Sequence, residues 1–113
     1  MMKTNELLSD NQFVQLTSLE MDKHTITGLY YGDLLSWVMS HAKEGEAWIT
    51  VQTHMNIVAV ASLINISCII VPEGIDVEQD TIDKANSMSI PILSTELNAY
   101  GIFETYYQQK LNQ

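Results

Sequence analysis

The chain has 113 residues and a mass of 12.8 kDa, which is enough for one domain and too little for two of ordinary size. Fourteen carboxylates and five lysines, with no arginine, give a formal net charge of −9, and apolar residues make up 46% of the chain. This composition excludes a disordered tail, and five scattered lysines form no basic patch of the kind that binds nucleic acid. No apolar run is long enough to span a bilayer.

Cysteine and histidine usage predicts the compartment and argues against a metal site. Cys68 is the single cysteine and cannot form an internal disulfide, and the first six residues lack the basic-then-apolar pattern of a secretory signal. We therefore expect a cytoplasmic protein. His24, His41 and His54 have no metal-ligand spacing, and no cysteine pair completes a zinc set, so no metal or cofactor is expected.

The first part of the chain predicts short elements. A short helix is expected over residues 4–9, followed by a strand over residues 13–19 in which the apolar alternation is imperfect. β-Branched and aromatic residues predict an extended segment over residues 25–31. Gly32 and Asp33 then open a helix over residues 34–42, which Gly45 is expected to end as a C-terminal glycine.

The rest of the chain alternates strands and helices more regularly. Strands are predicted over residues 47–51, 66–71 and 90–93, and the second of these is a continuous apolar run typical of a central parallel strand. Helices are predicted from the start signals at 53–56 to about residue 65, over 76–88 and over 96–111. Short connections between alternating elements predict a single α/β domain over residues 1–113, with a largely parallel sheet flanked by helices.

The helix over residues 55–64, from Met55 to Ile64, is apolar on nearly every side. Such a helix needs cover all round, which a small single-sheet domain supplies with difficulty, and an exposed apolar face marks a partner surface. We therefore expect a homodimer that packs partly through this helix. The alternative is a helix that is fully buried within a monomer.

Four segments resemble the DRTGG domain family. They are residues 28–39 (GLYYGDLLSWVM), 47–61 (AWITVQTHMNIVAVA), 69–75 (IIVPEGI) and 90–95 (IPILST). The resemblance covers nearly the whole chain and implies a Rossmann-like α/β fold related to the N-terminal domain of HPr kinase/phosphorylase. In longer proteins such domains accompany phosphotransacetylase or paired CBS modules, where they look regulatory rather than catalytic.

The chain departs from the motif that gives the family its name. Thr53 and His54 stand where the family has an Asp-Arg pair, and Pro72-Glu73-Gly74 stands where it has Thr-Gly-Gly, so only Gly74 matches. A ligand that depends on that arginine is therefore not carried over. None of the five glycines is followed by lysine, so the chain lacks the P-loop that HPr kinase activity needs.

A site in this fold is expected where the carboxyl ends of parallel strands meet. The loops that would converge there contain the candidate ligand-binding residues Asp33, Gln52, Thr53, His54, Asn56, Glu73, Gly74, Ser94 and Thr95. Thr53 and Thr95 would offer hydroxyl and backbone N–H groups at helix starts, which suits a small anion. The alternative for both threonines is that they are N-caps only.

Two functions are consistent with this sequence. The first is a small non-catalytic regulatory or interaction module, dimeric, that binds a nucleotide or another small anionic metabolite at the strand ends. The second is a small enzyme in which His54 works with Asp33 or Glu73 as an acid–base pair. The absence of a paired titratable cluster fixed by the sequence favours the first.

Overall fold

A five-stranded sheet forms the centre of the molecule, and the computed structural model describes the chain over residues 2–8, 11–21 and 24–112. In chain order the elements are β1 (Met2–Lys3), α1 (Thr4–Leu8), β2 (Phe13–Gln15), β3 (Thr25–Ile26), β4 (Gly28–Tyr31), α2 (Leu35–His41), β5 (Glu46–Ile49), α3 (Asn56–Leu63), β6 (Cys68–Val71), α4 (Gln79–Met88), β7 (Ile92–Thr95) and α5 (Ala99–Leu111).

The strand order of this sheet is β2-β7-β6-β5-β4, and the four strands from β4 to β7 are parallel. Ile49, Ile70 and Leu93 lie opposite one another on neighbouring strands, so the three central strands end at the same edge. β2 runs antiparallel to β7 at one side of the sheet, and β1 pairs with β3 in a separate two-stranded ribbon. The prediction of a largely parallel α/β sheet is confirmed.

Alternating side chains on the central strands build one core on each face of the sheet. Ala47 and Ile49 of β5 pack on the face covered by α5, together with Ile102 and Tyr106 of that helix. Trp48 of β5 points to the other face, which α2, α3 and α4 cover. Because helices lie on both faces, the fold is Rossmann-like, as the resemblance implied.

The extended segment predicted over residues 25–31 is divided between two sheets. Thr25–Ile26 pairs with β1, whereas Gly28–Tyr31 pairs with β5. Thr27 lies between them, and its backbone N–H donates to Gly45 O at 2.9 Å while its hydroxyl donates to Glu44 O at 3.3 Å. These bonds hold the chain where it passes from one sheet to the other.

Several predicted boundaries differ from the observed ones. α2 ends at His41 with Ala42 as its C-cap, and Gly45, at φ +84°, belongs to the turn before β5 rather than to the helix end. α4 and α5 begin at Gln79 and Ala99, later than the sequence pattern indicated, whereas α3 begins at Asn56, the last of its predicted start residues. The predicted end of the first helix at Ser9 lies outside the described residues. No helix in the described ranges is long and apolar enough to cross a membrane.

Candidate functional site

The candidate residues are distributed along the carboxyl edge of the parallel strands. Asp33 follows β4, the stretch 52–56 follows β5, and Glu73 and Gly74 follow β6. Ser94 and Thr95 are the last two residues of β7 rather than the start of a helix. Since β4 to β7 are parallel, all of these positions lie at one edge, but they divide into separate groups of contacts.

Asp33 links two strand ends. Its Oδ1 accepts hydrogen bonds from Thr50 Oγ1 and from the backbone N–H of Val51, both at 2.9 Å. Gln52 continues this connection, because its side-chain amide donates to Asp33 O at 3.1 Å and its backbone N–H donates to Thr50 Oγ1 at 3.1 Å. The carboxylate of Asp33 therefore holds the loop after β5 against the loop after β4.

Thr53, His54 and Asn56 form the entry to α3. The carbonyl of Thr53 accepts a hydrogen bond from Thr81 Oγ1 at 2.7 Å, and His54 Nδ1 accepts from the backbone N–H of Asn56 at 3.3 Å. The N-cap of α3 is Met55, so the N-cap alternative for Thr53 is wrong. The next N–H group, that of Ile57, donates to His54 O at 3.1 Å, so this helix start does not present the free donors that an anion needs.

Glu73 and Gly74 both adopt left-handed backbone conformations, at φ +62° and +66°. Their N–H groups donate to Leu97 O and Thr95 O, both at 2.9 Å, so this turn is bonded to the segment that follows β7. A Cβ on Gly74 would overlap the carboxylate of Glu96. The left-handed angle favours glycine at position 74, and a Cβ there would also displace the flexible carboxylate of Glu96.

The N-cap alternative for Thr95 is also wrong. Thr95 Oγ1 accepts from the backbone N–H of Leu97 at 3.2 Å within the segment after β7, and the N-cap of α5 is Asn98, whose Oδ1 accepts from the N–H of Gly101 at 2.8 Å. The hydroxyl of Thr95 thus shapes the turn that leads from the strand to the helix.

An open cleft of about 300 Å³ lies beside the end of β7 and the start of β2. We call it the β2–β7 cleft, and its lining residues are Asn11, Gln12, Val14, Ser94, Thr95, Glu96 and Leu97. Two of these, Ser94 and Thr95, are among the candidate residues predicted from the sequence. Cavities of this size lie at the lower end of the range typical of small-molecule sites.

Sequence reasoning missed the half of this cleft that comes from residues 11–14. These residues reach the site because Phe13 and Val14 pair with Thr95 and Ser94 in the antiparallel edge of the sheet. The pairing joins segments about eighty positions apart in the sequence, so a local sequence pattern does not predict which strand lies beside β2. Glu96 belongs to the third of the loops that are predicted to converge at this edge, although it is not among the candidate residues, and an acidic residue directly after a strand end was the available signal.

The lining of the β2–β7 cleft has a distinct chemistry. It contains amide groups from Asn11 and Gln12, the hydroxyl of Ser94, the carboxylate of Glu96 and apolar surface from Leu97. Within the part of the chain that the structure describes, no lysine or histidine lines this cleft. Such a set can hydrogen-bond a planar polar group and cover one of its faces, but it offers no cation to a phosphate.

The described hydrogen bonds of Asp33 and His54 go to neighbouring loop residues and do not join the acid–base groups of the alternative enzyme. The hydrogen bonds of Asp33 go to Thr50 and Val51, and His54 Nδ1 accepts from Asn56. Within residues 2–8, 11–21 and 24–112, no bond joins His54 to Asp33 or Glu73, and no three His, Cys, Asp or Glu side chains are grouped as a metal site requires.

Comparison with known proteins identifies the fold but not a family. No family model matches the chain, and no curated protein matches it. A solved structure that is similar is the crystal structure of the CBS and DRTGG domains of the regulatory region of Clostridium perfringens pyrophosphatase, complexed with the activator diadenosine tetraphosphate. The TM-score is 0.73 at 15% sequence identity, over 95% of this chain and 46% of the other.

This likeness shows a shared fold, and the chain spans less than half the length of that regulatory region. The similar structure is a regulatory region rather than a catalytic one, and its bound activator is a nucleotide. A DRTGG-like fold is consistent with the resemblance seen in the sequence.

Proposed function

We propose that this chain is a DRTGG-like regulatory module, not an enzyme, and that it binds the nucleoside part of a nucleotide in the β2–β7 cleft. The observation that carries the proposal is the cleft itself. It lies at the carboxyl edge of a parallel sheet, which is where α/β folds bind ligands. The likeness to a regulatory region that is bound to a nucleotide activator supports the same class of function.

The lining of the cleft favours a base and ribose over a phosphate. Glu96 accepts hydrogen bonds from N–H groups, as on the edge of a purine, and the amides of Asn11 and Gln12 both donate and accept. Leu97 and Val14 supply the apolar cover that a planar ring requires. A nucleotide would then place its phosphates outside the cleft, in solvent.

The proposal corrects the kind of anion site that the sequence indicated. Thr53 and Thr95 do not stand at helix starts, and the first N–H groups of α3 are paired with His54. Of the candidate residues, Ser94 and Thr95 line the cleft directly, while Glu73 and Gly74 support it through their bonds to Leu97 and Thr95. Asp33, Gln52 and His54 hold the neighbouring loops.

Non-catalytic function is supported by the hydrogen bonds of the titratable groups. An acid–base pair has to reach one substrate from two positions, and the described partners of Asp33 and His54 are structural ones. No specific contact favours turnover over binding.

We further propose that the module is a homodimer that packs through α3. Ile57, Val58, Val60 and Ala61 are buried within the chain, so the exposed side of the helix is narrower than the sequence predicted. Met55 is 41% exposed and Leu63 is 68% exposed, with Ala59 exposed between them. Residues four apart lie on one side of a helix, so these three form an apolar stripe.

Charge supports a second copy as the occupant of this stripe. From residue 47 to residue 72 the sequence contains no Asp, Glu, Lys or Arg, although the chain carries a net charge of −9. Two copies repel each other least where their carboxylates are absent. Ala59 would let the two helices approach closely.

The binding proposal is tested by thermal unfolding with adenosine, AMP, ATP and inorganic phosphate. We expect adenosine and AMP to raise Tm by similar amounts, because the cleft would recognise the nucleoside part that they share, and we expect phosphate alone to leave Tm unchanged. A ligand that binds the folded state and is present at one hundred times its Kd stabilises that state by about 2.7 kcal/mol. Glu96→Gln should reduce the rise, whereas Glu44→Gln, the same change at an exposed position on the opposite edge, should not.

Two results would contradict the binding proposal. If none of the nucleosides and nucleotides raises Tm, the cleft binds none of them. If inorganic phosphate reproduces the effect of AMP, the recognised group is the anion and not the nucleoside.

A further inference from the structure

α2 is a short helix, and most of it faces solvent. Of its seven residues only Val38 is buried, whereas Leu34 at its N-cap is 67% exposed and Trp37 is 56% exposed. Tryptophan is highly buried on average, and grouped exposed apolar side chains mark surfaces that bind other proteins. The exposed side chains of Leu34, Trp37, Met39 and His41 form what we call the α2 surface.

Trp37 is held in one orientation by its own helix. Its ring stacks on the ring of His41, with 3.8 Å between the ring centroids and 11° between the planes. His41 is fixed in turn, since its Nδ1 lies 2.8 Å from Ser40 Oγ and 3.0 Å from Trp37 O. A side chain that is ordered before binding loses less conformational entropy on association. Trp37 is therefore a preorganised anchor, and tryptophan is among the residues that are enriched in binding hot spots.

The apolar stripe on α3 is too small to form a dimer interface alone. α3 has eight residues, so it is about 12 Å long and about 10 Å across, and its outward side offers on the order of 200 Å². A stable interface of standard size buries about 800 Å² on each partner. An interface that contains this stripe therefore extends onto neighbouring elements, and the helices that pack beside α3 are α2 and α4.

Charge favours α2 over α4 as the neighbour that completes the interface. Asp80 and Asp83 are exposed on α4, whereas residues 34–42 contain no Asp, Glu, Lys or Arg. In a two-fold symmetric dimer the same surface of each copy meets, so α4 would bring like carboxylates together and α2 would not. Asp33 also joins the start of α2 to the loop before α3, because its Oδ1 accepts from the N–H of Val51 at 2.9 Å.

We infer that the α2 surface forms the larger part of an interface between two copies of this chain, with Trp37 as its anchor. This inference rests on the proposed homodimer and extends its contact from α3 to α2. The β2–β7 cleft stays open in each copy, because β2 and β7 lie at one end of the strand order and β4, which precedes α2, lies at the other.

Tryptophan fluorescence tests the position of α2 in the dimer. Trp37 and Trp48 are the two tryptophans of the chain, and Trp48 is fully buried, so quenching by acrylamide reports on Trp37. We expect dilution of the full chain to increase the quenching. The increase should follow the same concentrations at which light scattering reports a fall in mass from twice 12.8 kDa to 12.8 kDa.

Three variants measure the contribution of Trp37. Trp37→Ala should raise the Kd of the dimer about thirtyfold, the effect of losing a hot-spot side chain, with an unchanged circular dichroism spectrum because Trp37 is exposed. His41→Ala frees the Trp37 ring and should raise the Kd about threefold. Tyr100→Ala, an exposed aromatic position on α5, is the matched control and should leave the Kd unchanged.

Three outcomes would overturn the inference. A dimer in which acrylamide quenches Trp37 as fully as in the monomer, or whose Kd is unchanged in Trp37→Ala, would place α2 outside the interface; the proposed dimer through α3 would still stand if Leu63→Glu dissociates it. An equal loss in Tyr100→Ala would indicate unspecific apolar attraction. A parent chain that is monomeric at every concentration would remove the proposed dimer, and this inference with it.

Discussion

Replacing Asp33 separates a structural role of this carboxylate from the ligand-binding role that the sequence indicated. Asp33 Oδ1 accepts two hydrogen bonds at 2.9 Å, from Thr50 Oγ1 and from the N–H of Val51. Thr50 is 0% exposed, so water cannot replace the carboxylate at its hydroxyl, whereas Val51 is exposed and can find water. The Asp33→Ala variant therefore leaves one buried donor without a partner.

The size of the effect follows from these two bonds. A hydrogen bond to a charged group contributes about 1.5–3 kcal/mol, and a buried unpaired donor costs about 1–3 kcal/mol. We expect Asp33→Ala to lower the free energy of unfolding by about 3 kcal/mol and Asp33→Asn, which keeps the acceptor oxygen, by about 1 kcal/mol. Thr50→Val in the Asp33→Ala background should recover part of the loss, because it removes the stranded hydroxyl.

Urea unfolding measured by tryptophan fluorescence reports this difference. Trp48 is buried, and its Nε1 donates to Gly32 O at 2.8 Å, next to the affected loop. The slope of free energy against urea should stay the same in all variants, so that midpoints compare stability directly. A loss below about 0.5 kcal/mol for Asp33→Ala, or loss of adenosine binding at unchanged stability, would refute the structural role.

Three further variants test other parts of the structure. In urea unfolding, Gly74→Ala should lower the free energy of unfolding by about 1–2 kcal/mol through the positive φ alone. Adding Glu96→Ala should recover only the part of the loss that comes from crowding between the new Cβ and the Glu96 carboxylate. A full recovery would contradict the backbone argument. Burial raises the pKa of the Cys68 thiol to about 12, above its unfolded value, so its contribution to stability is complete below about pH 9 and is lost as the pH rises towards 12. Unfolding free energies across that range should fall less steeply in Cys68→Ala, and an identical fall would count against this burial effect. Leu63→Glu should change the mass measured by light scattering from twice 12.8 kDa to 12.8 kDa, whereas Leu111→Glu should not; a monomeric parent chain would remove the dimer proposal.

The central part of the fold is readable from the sequence because it is made of continuous apolar strands. The run over residues 66–71 predicts a buried central strand, and β6 lies in the middle of the sheet. β2 was harder to place, because an edge strand of three residues has too few positions to show alternation and its partner β7 is distant in the chain. The two-stranded ribbon was missed for the same reason.

Helix starts were placed too early at the carboxyl edge for a physical reason. Polar residues after a strand resemble N-caps, but here they form hydrogen bonds between loops. Thr95 closes its own turn onto Leu97, and Gly74 donates to Thr95 O, so the chain travels further before α5 begins at Ala99. Thr95 and Leu97 also line the β2–β7 cleft. The polar contacts that made the predicted helix start too early are therefore among those that shape the candidate site.

The most direct test of the central claim is the position of bound adenosine, mapped by NMR on the full chain. Binding in the β2–β7 cleft predicts saturable shifts of the backbone amides of Asn11, Ser94 and Leu97, with little change after β4 and β5. Shifts that are confined to the loops holding Asp33 and His54, or the absence of any saturable shift, would contradict it.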